Sequence, residues 1–218
     1  MTRRFTRPGL QAAALALPLL LLLLGGCASG LLPKRDVQPT LLALDDAGWR
    51  AAPPAAPAGR AAASLTLIVD PPRAAAGLDT RYIAYLRRAH EVEYFALHQW
   101  VDTPARMLAP LIVRGLERDG MFRAVVRAPS AASGDWRLES ELVHLQQDFT
   151  APASRVRLTL RAHIVDIASR RLVAAREFDI SVASPSADPY GGAQAANAAV
   201  RQLVDELALF CAQTAAAR

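Results

Sequence analysis

Hydrophobic positions along the chain follow three patterns, and each predicts a different element. The first is an apolar run from Leu10 to Leu24, broken only by Gln11. As a helix it would reach about 22 Å, short of the roughly 30 Å hydrocarbon core of a bilayer. Arg3, Arg4 and Arg7 precede it, and no acidic residue occurs before Asp36. A basic start, a short apolar stretch and small residues beyond it form a secretory signal, which is cut away.

The second pattern is alternation, which places one face of a strand inward. Val156, Leu158, Leu160, Ala162 and Ile164 alternate with Arg155, Arg157, Thr159, Arg161 and His163. Leu172, Ala174, Phe178, Ile180 and Val182 do the same, with Arg176 interrupting the apolar parity. From Trp136 to Leu145 the parity changes, since Trp136 and Leu138 are even but Val143 and Leu145 odd, so a bulge is expected near Leu142. Thr40–Leu44, Leu65–Val69 and Phe122–Val126 read as shorter strands. Leu78–Leu86 and Glu91–Trp100 read as an antiparallel pair turning at Arg87 to His90, and this hairpin carries Tyr82, Tyr85, Tyr94, Phe95 and Trp100.

The third pattern is helical. Asp102 or Thr103 can cap a helix that Pro104 starts, and Met107, Leu108, Leu111, Ile112 and Leu116 share one face. Pro110 should kink it or mark a late start, and Gly120 should stop it. After the loop Ser184–Gly192, the residues Ala196, Val200, Leu203, Val204, Leu207, Phe210 and Cys211 form a last apolar face, with Arg201, Asp205 and Glu206 outward. The expected fold is α+β: one antiparallel or mixed sheet of about six or seven strands, with two amphipathic helices packed on one face.

Composition narrows the picture. Removing residues 1–26 takes away three arginines and no acid, leaving 22 basic against 20 acidic groups, or +2 in place of +5. Such a balance, in an exported chain, gives no reason to expect a nucleic-acid partner. The chain has two cysteines.

The exit from the apolar run, Leu24-Gly25-Gly26-Cys27, resembles the lipobox of bacterial lipoproteins. The resemblance implies cleavage before Cys27 and a thioether from its thiol to diacylglycerol, with palmitate among the acyl chains. At about 0.8 kcal/mol per buried CH₂, such an anchor is effectively permanent. Cys211 is then the only thiol left, so no intramolecular disulfide is expected. Residues 1–26 become a signal peptide and 27–38 a lipidated tether. Residues 39–64 hold a short strand and an Ala/Pro-rich loop or linker from Arg50 to Ser64, and 65–213 form the domain. Eleven tether residues, Ala28 to Gln38, span ~36 Å when extended. Ala28 follows the cysteine where lipoproteins kept in the inner membrane of enterobacteria usually carry Asp. That implies the periplasmic face of the outer membrane, with inner-membrane retention as the alternative.

From Leu78 onward the chain resembles the ABC-type transport auxiliary lipoproteins of the paraquat-inducible protein C type. Leu78-Asp79-Thr80 with Ile83 and Tyr85 carries the likeness, and so does Tyr94-Phe95-Ala96-Leu97-His98-Gln99-Trp100-Val101-Asp102-Thr103-Pro104. Met107-Leu108, Gly120–Val125, Leu138–Leu142, Asp148-Phe149 and Ala174–Phe178 continue it. It departs at Gln99, where Arg is expected, and at Arg50–Ser64, which matches nothing. The resemblance implies a non-catalytic lipoprotein that works with an MCE (mammalian cell entry) substrate-binding protein and its ABC permease and ATPase. Its cargo would be phospholipid or another hydrophobic molecule moving between the two membranes. A lipid-binding module and a cell-envelope hydrolase are the alternatives. Association with further copies of the chain also fits.

Chemistry-bearing residues are sparse. His90, His98, His144 and His163 lack metal-ligand spacing, and Ser64, Ser140 and Ser181 lack a nucleophile-elbow context. No metal, cofactor or catalytic residue is expected. The candidate partner-binding residues are Tyr82, Tyr85 and Trp100 of the hairpin, for which filling the core is the favoured alternative, and the stripe Arg155, Arg157 and Arg161, for which a solvated strand face is the favoured alternative.

Overall fold

The computed structural model describes residues 37–47, 49 and 65–217. The chain divides into two compact units, Met1–Gln38 and Pro39–Arg218, and only Val37 and Gln38 of the first are described. Leu24, Gly25, Gly26 and Cys27 lie outside the described residues, as does the Ala/Pro-rich stretch from Arg50 to Ser64.

The second unit is built on strand β7 (Trp136–Asp148). One edge of β7 is covered along its length by antiparallel β8 (Arg155–Asp166), which pairs in turn with antiparallel β9 (Arg171–Ala183). Its other edge is shared by three short parallel strands in succession. These are β2 (Thr66–Val69), β3 (Arg73–Ala74) and β4 (Tyr82–Arg88). Outside β2 lies parallel β6 (Ala124–Arg127), outside β4 antiparallel β5 (Glu91–Trp100), and outside β5 parallel β1 (Thr40–Leu42). Among the described residues the mixed sheet has nine strands. The excess over the expected six or seven lies in short strands, since β3 has two residues and β1 three.

The sequence patterns translate directly into packing. Leu142 of β7 pairs with Leu160, and His144 with Thr159, so Val143 is the extra residue of the expected bulge. It switches parity, letting Trp136, Leu138 and Leu142 and then Leu145 face the same core. The even residues of β8, from Val156 to Ile164, are buried beside them. The hairpin strand expected from Leu78 starts only at Tyr82. Gly77 is left-handed at φ 86°, and the Leu78 N–H returns to the Ala75 carbonyl, which keeps that stretch a turn.

Helix α1 (Pro104–Asp119) begins at Pro104 and continues through Pro110 as one element. Thr103 precedes it in extended conformation, and left-handed Gly120 ends it by donating to the Glu117 carbonyl. Helix α2 (Pro189–Ala216) is capped by Asp188, whose carboxylate accepts from the Gly191 N–H. Its expected apolar face, Ala196 to Cys211, is buried. Close approach needs glycine at two places: a Cβ on Gly192 would overlap Gln147 of β7, and one on Gly115 of α1 would overlap Val204 of α2. Arg176, the interruption in β9, reaches Glu206 of α2 at 3.5 Å and holds its guanidinium 4.8 Å from the Phe178 ring centre. Both helices and the buried side of the sheet share one apolar core.

Candidate docking surface

Alternation leaves the other side of the sheet facing solvent, and the residues on it differ sharply from β9 to β1. Across β7, β8 and β9 the open side is ionic. Arg157 meets Asp179 in two bonds, Nε to Oδ1 at 2.9 Å and Nη2 to Oδ2 at 3.1 Å. Thr159 Oγ1 also donates to Asp179 Oδ1 at 2.8 Å, and His144 Nδ1 lies 3.2 Å from Thr159 Oγ1. Arg161 Nε donates to Glu177 Oε2 at 2.6 Å and lies 4.0 Å from Glu141. Arg155 stands opposite Asp148 in the ladder.

These contacts set the titration of the groups. The Arg157 bond, then the Thr159 bond, holds the Asp179 carboxyl below the usual carboxylate range. The same bond from Asp179 raises Arg157, and the bond to Glu177 raises Arg161. Burial, then the Arg157 charge, lowers His144. An anion approaching Arg157 or Arg161 would therefore have to displace a carboxylate already in place.

Across β4, β5 and β1 the same side is apolar. Gln99 pairs with both Tyr82 and Leu41, and Ala84 with Tyr94, so Leu41, Tyr82 and Tyr94 share this side. Tyr82 is 51% exposed, Val92 53%, Tyr94 43% and Leu41 50%. The rings of Tyr82 and Tyr94 lie 5.7 Å apart, tilted by 50°. A groove of about 420 Å³ runs beside them, lined by Leu78, Leu86, Val92 and Tyr94 and, from β7, by Val143, His144 and Gln146. His144 thus stands at the seam between the ionic and apolar halves.

The candidate residues separate accordingly. Tyr82 lies on the apolar half, and Arg155, Arg157 and Arg161 on the ionic half. Trp100 is 3% exposed and belongs to the core, so it is withdrawn from the surface. Tyr85 is turned to the opposite side and 9% exposed, its ring 4.4 Å from that of Phe95 and its hydroxyl donating to Glu93 at 2.7 Å. Val92, Leu41, Asp179 and His144 complete the two halves and were not singled out from the sequence. The short turn alone would set Arg161 against Arg176; the extra residue Val173 in β9 shifts the register and sets Arg161 against Glu177, so the acidic partners were hidden from the sequence.

Space for a ligand follows the same division. Between the sheet and the start of α2, near Ile83, Trp100, Leu145 and Gly192, the enclosed space is about 10 Å³, room for roughly one water. A cleft of about 530 Å³ where β9 meets the end of α2 opens to solvent, lined by Trp136, Phe210, Val173 and by polar Asp166, Gln213 and Thr214. Among the described residues, no helix is long and apolar enough to cross a membrane.

No curated protein matches the chain. Among solved structures it is similar to protein XCC0632 from Xanthomonas campestris, at 23% identity and a TM-score of 0.65, over 84% of this chain and 93% of that one. It is also similar to the hypothetical protein CT253 from Chlamydia trachomatis, at 9% identity and a TM-score of 0.52, over 72% of this chain and all of that one. At these identities the likeness is one of fold. Residues 50–208 match the family model of the ABC-type transport auxiliary lipoprotein component, which takes in nearly all of the described domain. The chain belongs to that family.

Proposed function

We propose that the protein is the non-catalytic docking component of an MCE-type ABC transport system, held on the periplasmic face of the outer membrane by an acylated Cys27. Its partners are the MCE substrate-binding protein and the associated permease and ATPase, and the cargo is phospholipid or another hydrophobic molecule. The observation that carries this reading is the family match over residues 50–208.

The packing favours docking over cargo carriage. The space enclosed under the start of α2 would hold about one water, the larger cleft at the end of α2 opens to solvent, and the sheet offers a broad solvent-facing side. The lipobox Leu24-Gly25-Gly26 and the Ala28 that follows Cys27 support the anchor and its destination. A leash of eleven residues supplies the rest: it confines the domain near one membrane and raises its effective concentration for a partner reaching across the periplasm.

Crosslinking in intact cells, followed by purification of the lipoprotein, tests the proposal. The MCE protein should copurify with the native chain, and Cys27→Ala should reduce its recovery severalfold. Recovery of no MCE protein from the native chain would overturn the docking role.

A further inference from the structure

The family reading leaves the apolar half of the open sheet side without a task. Leu41, Tyr82, Val92 and Tyr94 are each about half exposed on one side of three adjacent strands. A grouped apolar patch of this kind marks a protein or membrane contact more often than plain solvent exposure. We infer that this half of the sheet lies on the bilayer that holds the Cys27 anchor. The inference rests on the anchoring reading above and adds an orientation to it.

The length of chain outside the structure picks the occupant. Eleven residues separate Cys27 from Pro39, a reach of ~36 Å at most. They lead into β1, the strand that borders this half, and β1 itself contributes Leu41. The order from β1 through β5, β4, β7 and β8 to β9 places the far edge five strand spacings away, or about 24 Å at ~4.8 Å each. The leash is long enough to let either edge reach the membrane, but its attachment at β1 keeps the β1 edge nearer the anchor on average.

The side chains suit that surface. A tyrosine ring has an apolar body and a polar tip, which matches the boundary between headgroups and acyl chains. Tyr82 and Tyr94 present two such rings, and Val92 and Leu41 present aliphatic groups beside them. The hairpin tip carries Arg87 and Arg88 against Glu91, with Arg88 and Glu91 paired, so the contact brings a small cationic excess that anionic phosphatidylglycerol can meet. On the ionic half, Arg157 and Arg161 are answered by acids and remain in water. The contact is weak by itself and becomes populated because the anchor makes it intramolecular.

The test uses the full acylated chain, inserted by its own anchor into phosphatidylethanolamine–phosphatidylglycerol vesicles. Val92→Cys, Leu41→Cys and Ser181→Cys each carry a small fluorophore, and native Cys211 is buried and left in place. Lipids with a nitroxide at the headgroup should quench the label at Val92 and Leu41 severalfold more than at Ser181, which lies on the ionic half. Aqueous iodide should show the reverse order. Tyr82→Ser combined with Tyr94→Ser should cut lipid quenching at Leu41 severalfold, with an unchanged thermal midpoint reporting an intact fold. Equal lipid quenching at all three sites, or none at Val92, overturns the inference. So does a Val92 label shielded from both quenchers, because a second copy of the chain would then be the occupant. The mass of the N-terminal peptide separates the two readings. An unacylated Cys27 sinks the anchor and this orientation together, whereas an acylated chain with an unquenched Val92 sinks the orientation alone.

Discussion

The ionic and apolar halves of the open sheet side share one sheet and one core but solve exposure differently. From β7 to β9 Arg157 and Arg161 are each met by an acid across the ladder and Arg155 stands opposite Asp148, so this surface carries its own counter-charges. From β4 to β1 the exposed groups include Leu41, Val92 and the rings of Tyr82 and Tyr94, whose apolar surface gains nothing from water. The difference teaches that charge in a sequence is a poor guide to an interaction surface when its counter-charge lies on the next strand. The half with fewer charges is the one left wanting cover.

The most severe way to break this comparison is to show that the halves belong to separate folding units. Trp100 lies beneath the apolar half and Leu160 beneath the ionic half, both buried in the same cluster. Trp100→Ala should cost about 3–5 kcal/mol and Leu160→Ala about 2–5 kcal/mol. Each should shift a single cooperative unfolding transition, followed in urea by circular dichroism and by fluorescence from the remaining tryptophans. Two transitions, each sensitive to only one substitution, would divide the core and with it the comparison.

What could be read from the sequence was local. Alternation in Val156–Ile164 located the buried side of β8, the parity change in β7 located the bulge at Val143, and helical spacing selected the buried face of α2. What could not be read was non-local. Three short strands sharing one edge of β7 leave no periodic trace, and two-residue β3 is too short to have one. Tyr82 and Tyr85 lie three residues apart on one strand, so alternation already sets them on opposite sides, but which of the two sides meets solvent depends on what packs beneath the sheet. The stripe Arg155, Arg157 and Arg161 was visible, but Asp179 and Glu177 became its partners only through the register of β9.

A smaller effect sharpens the seam between the halves. His144 lines the apolar groove yet contacts Thr159 of the ionic half, and burial together with Arg157 lowers its pKa. Asp179, Glu177 and Arg161 also act on it. Below its ordinary value of 6.5 the unfolded imidazole takes up a proton that the folded one refuses. Stability is therefore fully present above pH 6.5, falls as the pH drops toward the lowered folded value, and then levels. The slope from one proton cannot exceed about 1.4 kcal/mol per pH unit. Urea midpoints from pH 8 to pH 5 at fixed ionic strength should show this fall, and His144→Gln should flatten it. Asp179, whose pKa is also lowered, adds a separate loss only as the pH falls below 3.8. A native profile already flat between pH 8 and pH 5 would remove His144 from the seam.

The finest test sets one pair from each half against the other. Tyr82 and Tyr94 form a ring contact, for which double-mutant cycles give about 0.5–1.5 kcal/mol, with half-exposed rings at the low end. Arg157 and Asp179 form a two-bond ion pair with both side chains more than two-fifths exposed, a setting worth about 0.2–1 kcal/mol. The two values overlap at low salt, so magnitude alone does not distinguish the halves; salt does. At 1 M the screening length falls to about 3 Å, which weakens an exposed charge pair and leaves an apolar ring contact alone. The cycle on the ionic half uses Arg157→Gln with Asp179→Asn, because Asn keeps an oxygen to accept from Thr159 and confines the loss to the arginine. Its coupling should shrink in 1 M NaCl, while the coupling from Tyr82→Ser with Tyr94→Ser holds. A salt-independent Arg157–Asp179 coupling would mean that packing, not charge, organises the ionic half, and the contrast between the two halves would lose its physical basis.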